Sequence, residues 1–160
     1  MNQDLTKPEW LNLHLISLPE EPVGFVYKIT RIADGKFYIG KKLLRSKVTK
    51  KPLKGKRFKR HSTKESDWKT YWGSSKELVA DIEKYGTEAF KREIIYPCDS
   101  KFDLAYSELL TQINYNVMNP HTLTYNGIIN VRLRRPRWTP NDVKKIITDL
   151  EKENGPVIKW

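Results

Sequence analysis

The chain has 160 residues, the size of one domain, and carries thirty Lys and Arg against nineteen Asp and Glu, a formal charge of +11 at neutral pH. That excess is more than solubility needs and points to a polyanionic partner, with nucleic acid ahead of an anionic membrane surface. No apolar run approaches the roughly 20 residues that span a bilayer, no basic amphipathic helix carries an aromatic face, and the single Cys98 excludes an internal disulfide or a multi-cysteine zinc site.

Residues 1–22 contain Asp4, Glu9, Glu20 and Glu21 and lack the charged-then-apolar order of a secretory leader, so a cytoplasmic protein is expected. Gly24 to Ile32 (GFVYKITRI) reads as a strand, Ala33-Asp34-Gly35-Lys36 as a turn and Phe37-Tyr38-Ile39-Gly40 as the returning strand, which together make a β-hairpin. From Lys41 to His61 there are eleven Lys or Arg in twenty-one positions and no acidic residue, with Pro52 and Gly55 opposing any long helix. A basic loop or arm is expected there. Ser74-Ser75 precedes KELVADIEKYG, whose Leu78, Val79, Ile82 and Tyr85 recur at helical spacing, so a helix is predicted from Lys76 to Tyr85 with Gly86 as its stop. Phe90 to Tyr96 reads as a third strand ended by Pro97, and a second helix starts at Ser100 and runs to about Val117. Beyond a looser stretch with Asn119-Pro120 and Tyr125-Asn126-Gly127 comes RLRRPRW, residues 132–138. A last helix is predicted from Thr139 as N-cap and Pro140 at its first position to Gly155 past its end.

Phe25-Val26-Tyr27, ten residues of hairpin and then Tyr38-Ile39-Gly40 resemble the paired motif that names the GIY-YIG nucleases. The first motif is degenerate, with Gly24 one position early, and the second is intact. The resemblance covers roughly residues 23–130 and is similar in style to phage and other mobile-element members through WKTYWGSSKEL and YNGIINV. It implies an α+β fold: a small three-stranded antiparallel sheet flanked by helices, carrying an inserted basic arm and a C-terminal helix. The implied organisation is an N-terminal extension 1–22, a nuclease domain 23–130 with its insertion at 41–61, and a basic loop and helix at 131–160.

Such a nuclease hydrolyses a phosphodiester, which needs an activated water, charge stabilisation at the phosphate and help for the leaving oxygen. The resemblance assigns the water to a motif tyrosine, Tyr27 or Tyr38. Tyrosine is a poor base at its ordinary pKa near 10, so a neighbouring cation must favour the phenolate, and Lys41 is placed to do so. The family's divalent cation, Mg2+ or Mn2+, is held by a glutamate. Glu108 matches, at the edge of the second helix's apolar stripe, where a carboxylate needs a metal or a cation as partner. Asn126 matches the family's late asparagine or is a plain turn residue. The family's phosphate-holding arginine is expected on the first helix, and Lys76 to Tyr85 contains none. The role falls to the arm, to Arg57 or Arg60, with His61 as a second acid/base or an exposed contact.

Lys50, Lys51, Lys54, Lys56 and Lys59 are expected to neutralise DNA phosphates, and Arg132, Arg134, Arg135 and Arg137 to form a second basic strip. Trp72 is expected to stack on bases, whereas Trp68 and Tyr71 are expected in the core. The partner implied is double-stranded DNA, bound by a monomer or a transient dimer, with no small-molecule cofactor and no membrane. The function implied is a metal-dependent, sequence-preferring endonuclease or nickase. The alternative is a nucleic-acid-binding protein that kept the fold without the chemistry, motivated by the missing helical arginine.

Overall fold

A computed structural model describes residues 9–17 and 21–134. Among these, four strands form one sheet: β1 (Trp10–Leu11), β2 (Gly24–Arg31), β3 (Phe37–Leu43) and β6 (Phe90–Cys98), in the order β1-β6-β2-β3. Two further strands, β4 (Arg45–Lys50) and β5 (Arg60–Glu65), pair only with each other. The helices are α1 (Lys76–Tyr85) and α2 (Lys101–Asn114). None of the described helices is long and apolar enough to cross a membrane.

β2 is a central strand, and its start GFVY is buried on both sides, which is why it reads as an apolar run and not as an alternation. Phe25, Tyr27 and Ile29 enter a cluster with Trp10, Phe90, Ile94 and Leu78 of α1. Val26 joins the other cluster with Ile39, Cys98, Val117 and Leu104 of α2. The two helices therefore cover different faces of one sheet, the α+β arrangement expected.

The sheet differs from the expected three antiparallel strands by one addition. β6, β2 and β3 are antiparallel, and β1 adds a parallel edge pairing, Trp10 with Arg92 and Leu11 with Glu93. Trp10 is what brings this piece in: its ring is buried, and its Nε1 donates to the Trp68 carbonyl at 3.0 Å. β6 also does not end at Pro97 but continues to Cys98, with Pro97 opposite Phe25. Its edge away from β2 is paired only at residues 92 and 93, so a residue without an N–H is tolerated further along. Cys98 is a buried thiol, pushed up to about 11 by desolvation and so poorly nucleophilic.

α1 has the predicted bounds. The Ser75 hydroxyl accepts from Leu78 N at 3.4 Å, and Gly86 ends the helix at φ +84°. α2 starts as predicted, with Ser100 Oγ accepting from Asp103 N at 3.0 Å, but stops at Asn114. Asn116 takes the left-handed conformation (φ +51°), and Val117 N closes the end on the Gln112 carbonyl at 3.1 Å. Val117 stays buried, so the apolar periodicity outlasts the helix. Of the arm expected at 41–61 as a basic loop, residues 51–59 are loop, while 45–50 and 60–61 belong to a two-stranded ribbon paired from Arg45↔Glu65 to Lys50↔Arg60.

β3 is the outer strand of the sheet, and its free edge is covered by the chain beyond α2. Phe37 N donates to Leu123 O at 3.2 Å, and Tyr125 N donates to Phe37 O at 2.8 Å. Two positions on, a side chain continues the ladder: Ile39 N donates to Asn126 Oδ1 and Asn126 Nδ2 donates to Ile39 O, both at 2.8 Å. Gln112 Nε2 also reaches Ile39 O at 3.3 Å. Replacing Asn126 with alanine therefore strips the buried Ile39 N–H of its partner while its carbonyl keeps Gln112. The expected cost is about 1–3 kcal/mol, read as a lower urea midpoint with unchanged m-value.

Candidate active site

The clamp on Ile39 fixes the strand segment that carries Tyr38 and Lys41. Between this strand and α2 lies an open cleft of about 340 Å³, lined among others by Tyr38, Lys41, Ser74, Glu108, Gln112 and Asn126. Lys41 Nζ and the Glu108 carboxylate form an ion pair across it, with side chains 35% and 14% exposed. Glu108 is thus the partly sheltered acid that its helix position implied, and its protein partner is a lysine from the strand opposite.

The two motif tyrosines occupy different environments. Tyr27 is 1% exposed, with its ring edge-on to Trp10 and Tyr71, and burial, reinforced by Tyr38, holds its phenol well above its usual 10. Tyr38 stands 6.1 Å from it, half-buried in the cleft wall, with its hydroxyl 3.0 Å from Ser74 Oγ. Its pKa is raised as well, by desolvation first. In this arrangement desolvation and the Glu108 carboxylate both disfavour a phenolate, and Lys41 is turned to Glu108. Both phenols are neutral near pH 7, and Tyr38 is the one within reach of a bound molecule.

Burial of Tyr27 has a measurable consequence for stability. Its folded pKa lies above the unfolded value, so the stability is complete below pH ~10 and is lost as pH rises through that range, where the unfolded chain releases a proton the folded chain keeps. Tyr38 and Tyr125 are raised too and act in the same direction. The urea midpoint should fall above about pH 10, and Tyr27→Phe should make the fall shallower. An equal slope in the variant would show that Tyr27 ionises freely.

Asn126 lines the cleft, but both ends of its amide are spent on Ile39, so it positions the strand. Arg57 is exposed at the ribbon tip, Arg60 and His61 open β5, and none of the three lines the cleft. His61 Nδ1 lies 3.3 Å from Thr49 Oγ1 across the ribbon. Lys50, Lys51, Lys54, Lys56 and Lys59 are exposed on the same arm, and Arg132 and Arg134 are exposed beyond the cleft. Arg135, Arg137 and the predicted C-terminal helix lie outside the described residues. Trp72 is partly buried: its ring lies 4.2 Å from the Arg92 guanidinium and packs against the core. Trp68 and Tyr71 pack on that core too, as expected.

Arg92 is a residue that sequence reasoning misses. It sits in FKREIIY, where a strand cation reads as solvent-facing, yet it is 2% exposed between the rings of Trp10 and Trp72. Its Nη1 donates to the carbonyls of Tyr71 (2.9 Å) and Lys69 (3.3 Å), and desolvation lowers its pKa to about 10. It ties the WKTYW segment, and with it Ser74, to the sheet. Ser74 and Gln112 are cleft residues that the sequence does not mark either. Their signals, a serine just before a helix cap and a polar residue on an apolar stripe, have ordinary structural meanings.

A family model described as "Putative endonuclease segE, GIY-YIG domain" matches residues 10–129, which include every strand and helix described above. The chain belongs to the GIY-YIG endonuclease family. Its affinity is to phage members: it is 32% identical over 107 residues to "Putative endonuclease segD" of Enterobacteria phage T4. That alignment covers 67% of this chain and 38% of the phage protein, so the chain spans well under half the length of that relative. No solved structure matches the chain.

Proposed function

We propose that the chain is a divalent-metal-dependent endonuclease or nickase acting on double-stranded DNA in the cytoplasm of a bacterial or phage-infected cell, with its reaction in the cleft of Tyr38, Lys41 and Glu108. The observation that carries this is the meeting of Lys41 and Glu108 beside a half-buried Tyr38, on the family's strand and helix and in an open cleft.

Among the described residues no cluster of three or more His, Cys, Asp or Glu forms, so an all-protein cage for a cation is not built. An ion of the Mg2+ type is commonly held by one or two carboxylates plus substrate phosphates and keeps several waters, a pattern that Glu108 and a DNA phosphate fit, with Mn2+ as a close substitute. Bound there, it supplies polarisation of the phosphate and a lowered pKa for a coordinated water. Glu108 holds and orients it. Lys41, released from the carboxylate, balances negative charge that develops on the phosphate oxygens. Tyr38 keeps its proton at Oη and orients the attacking water, with Ser74 Oγ as its hydrogen-bond partner.

Incubation of supercoiled plasmid with the protein and Mg2+ tests this, and relaxed or linear DNA is the expected product. One observation favours the second reading, a DNA-binding protein without the chemistry: among the described residues no arginine lines the cleft to grip the phosphate through two parallel contacts. Plasmid that stays supercoiled with Mg2+ and with Mn2+, while gel-shift binding persists, would decide for it.

A further inference from the structure

The β4–β5 ribbon stands apart from both apolar clusters, and its register divides it into two faces. Arg45/Glu65, Lys47/Thr63 and Thr49/His61 share one; Ser46/Lys64, Val48/Ser62 and Lys50/Arg60 share the other. The first face overhangs a second cleft, of about 460 Å³. Its ribbon wall carries Arg45, Lys47 and His61, and its body wall carries Lys101 of the first turn of α2 and Glu21, which lies 3.7 Å from Arg45. Residues 51–59, which join the strands, are all exposed and hold five cations. Phe58 among them is 83% exposed, the most exposed large apolar side chain in the described part.

An isolated two-stranded ribbon is marginal in water, and this one, whose only acid is Glu65 at its base, repels itself further. Such an arm gains its order from a polyanion. Two strands about 4.8 Å apart, with their side chains, match a major groove roughly 12 Å wide and are too broad for a minor groove of roughly 6 Å. Six paired positions at about 3.3 Å each reach about 20 Å, some six base steps. An arm that enters the groove from one side must straddle one of its two phosphodiester backbones. The cleft between ribbon and body, with Arg45, Lys47 and His61 on one wall and Lys101 beside Glu21 on the other, is the place the arm offers to that backbone.

Resting on the DNA reading above, we propose that the β4–β5 ribbon is the sequence-reading element of the protein. It enters the major groove, presents Arg57 and Phe58 to base edges, and seats one backbone in the cleft between Lys47 and Lys101. Arginine pairs in that groove with guanine O6 and N7, and an apolar ring packs on the thymine methyl, so both tip side chains have partners that differ from base to base.

Selection from a pool of random-sequence duplexes by gel shift, in chelator so that nothing is cut, tests the arm independently of cleavage. The wild type should enrich a motif. Arg57→Ala with Phe58→Ala should lower enrichment at the read positions about tenfold or more, while low-salt affinity stays near wild type. Lys47→Ala with Lys101→Ala should leave the motif intact and flatten the plot of log Kd against log salt by about 2, roughly one unit for each phosphate no longer neutralised. All four positions are on surface side chains, and unchanged melting temperatures exclude misfolding. Absence of a motif in the wild-type pool, or a motif the tip variant retains, overturns the proposal. Wild-type failure to cut plasmid alongside the expected selection results sinks the nuclease reading and leaves the arm in place.

Discussion

Glu108→Gln is expected to slow plasmid relaxation by about a thousand-fold, the equivalent of ~4 kcal/mol of transition-state stabilisation, while DNA binding in chelator is retained. The size follows from what the cleft offers: among the described residues Glu108 is the one carboxylate in its lining, and none of those residues offers a second acid for the cation. The amide keeps the shape and removes the charge, and the Lys41 partner, 35% exposed, can turn to water when its ion pair goes. Retained cleavage would place the reaction elsewhere. A parallel loss of binding would make the residue structural, and a melting curve would show it.

The second large effect is expected at Gly40, the last residue of the intact motif. A Cβ built there would fall 2.5 Å from Tyr27 Oη, 2.7 Å from its Cζ and 2.9 Å from Tyr38 Cε1. Neither ring can yield easily, since Tyr27 is fully buried among Trp10, Phe25 and Tyr71 and Tyr38 is held by Ser74. Gly40→Ala should therefore destabilise the fold by about 3 kcal/mol and lower Tm by roughly 10 °C, and should displace Tyr38 even in molecules that stay folded. Gly127→Ala is the control in the same cleft, because a Cβ there meets nothing within 4 Å. Similar melting temperatures for the two variants would show that the rings repack freely.

The crowding at Gly40 explains why the tripeptide is legible in the amino-acid sequence. Tyr-Ile-Gly is a packing unit: the buried isoleucine faces α2, the tyrosine lines the cleft, and the glycine makes room for the other motif tyrosine. The hairpin and both helix starts are legible for similar reasons, because an Asp-Gly turn and serine caps act through their immediate neighbours. What is not legible depends on partners far along the chain. Nothing near Lys41 announces Glu108, nothing near Arg92 announces two tryptophans, and a short parallel strand at Trp10 has no periodicity to read. The basic arm misleads through composition: lysine is depleted in strands, but β4 and β5 bury little, and pairing register decides more than propensity there. The displaced arginine is a different case: elimination alone points to Arg57 and Arg60, and the ribbon carries them outside the lining of the cleft.

The clamp between Ile39 and Asn126 joins residues 87 positions apart. A chain emerging from the ribosome makes the motif hairpin early, but β6, which supports it, and the segment that closes its edge follow only near the end of the family domain. The entropy of closing so long a loop is offset only once those parts have arrived. Lys41 therefore meets Glu108 on a secured strand late in synthesis, and a prematurely terminated product lacks the cleft.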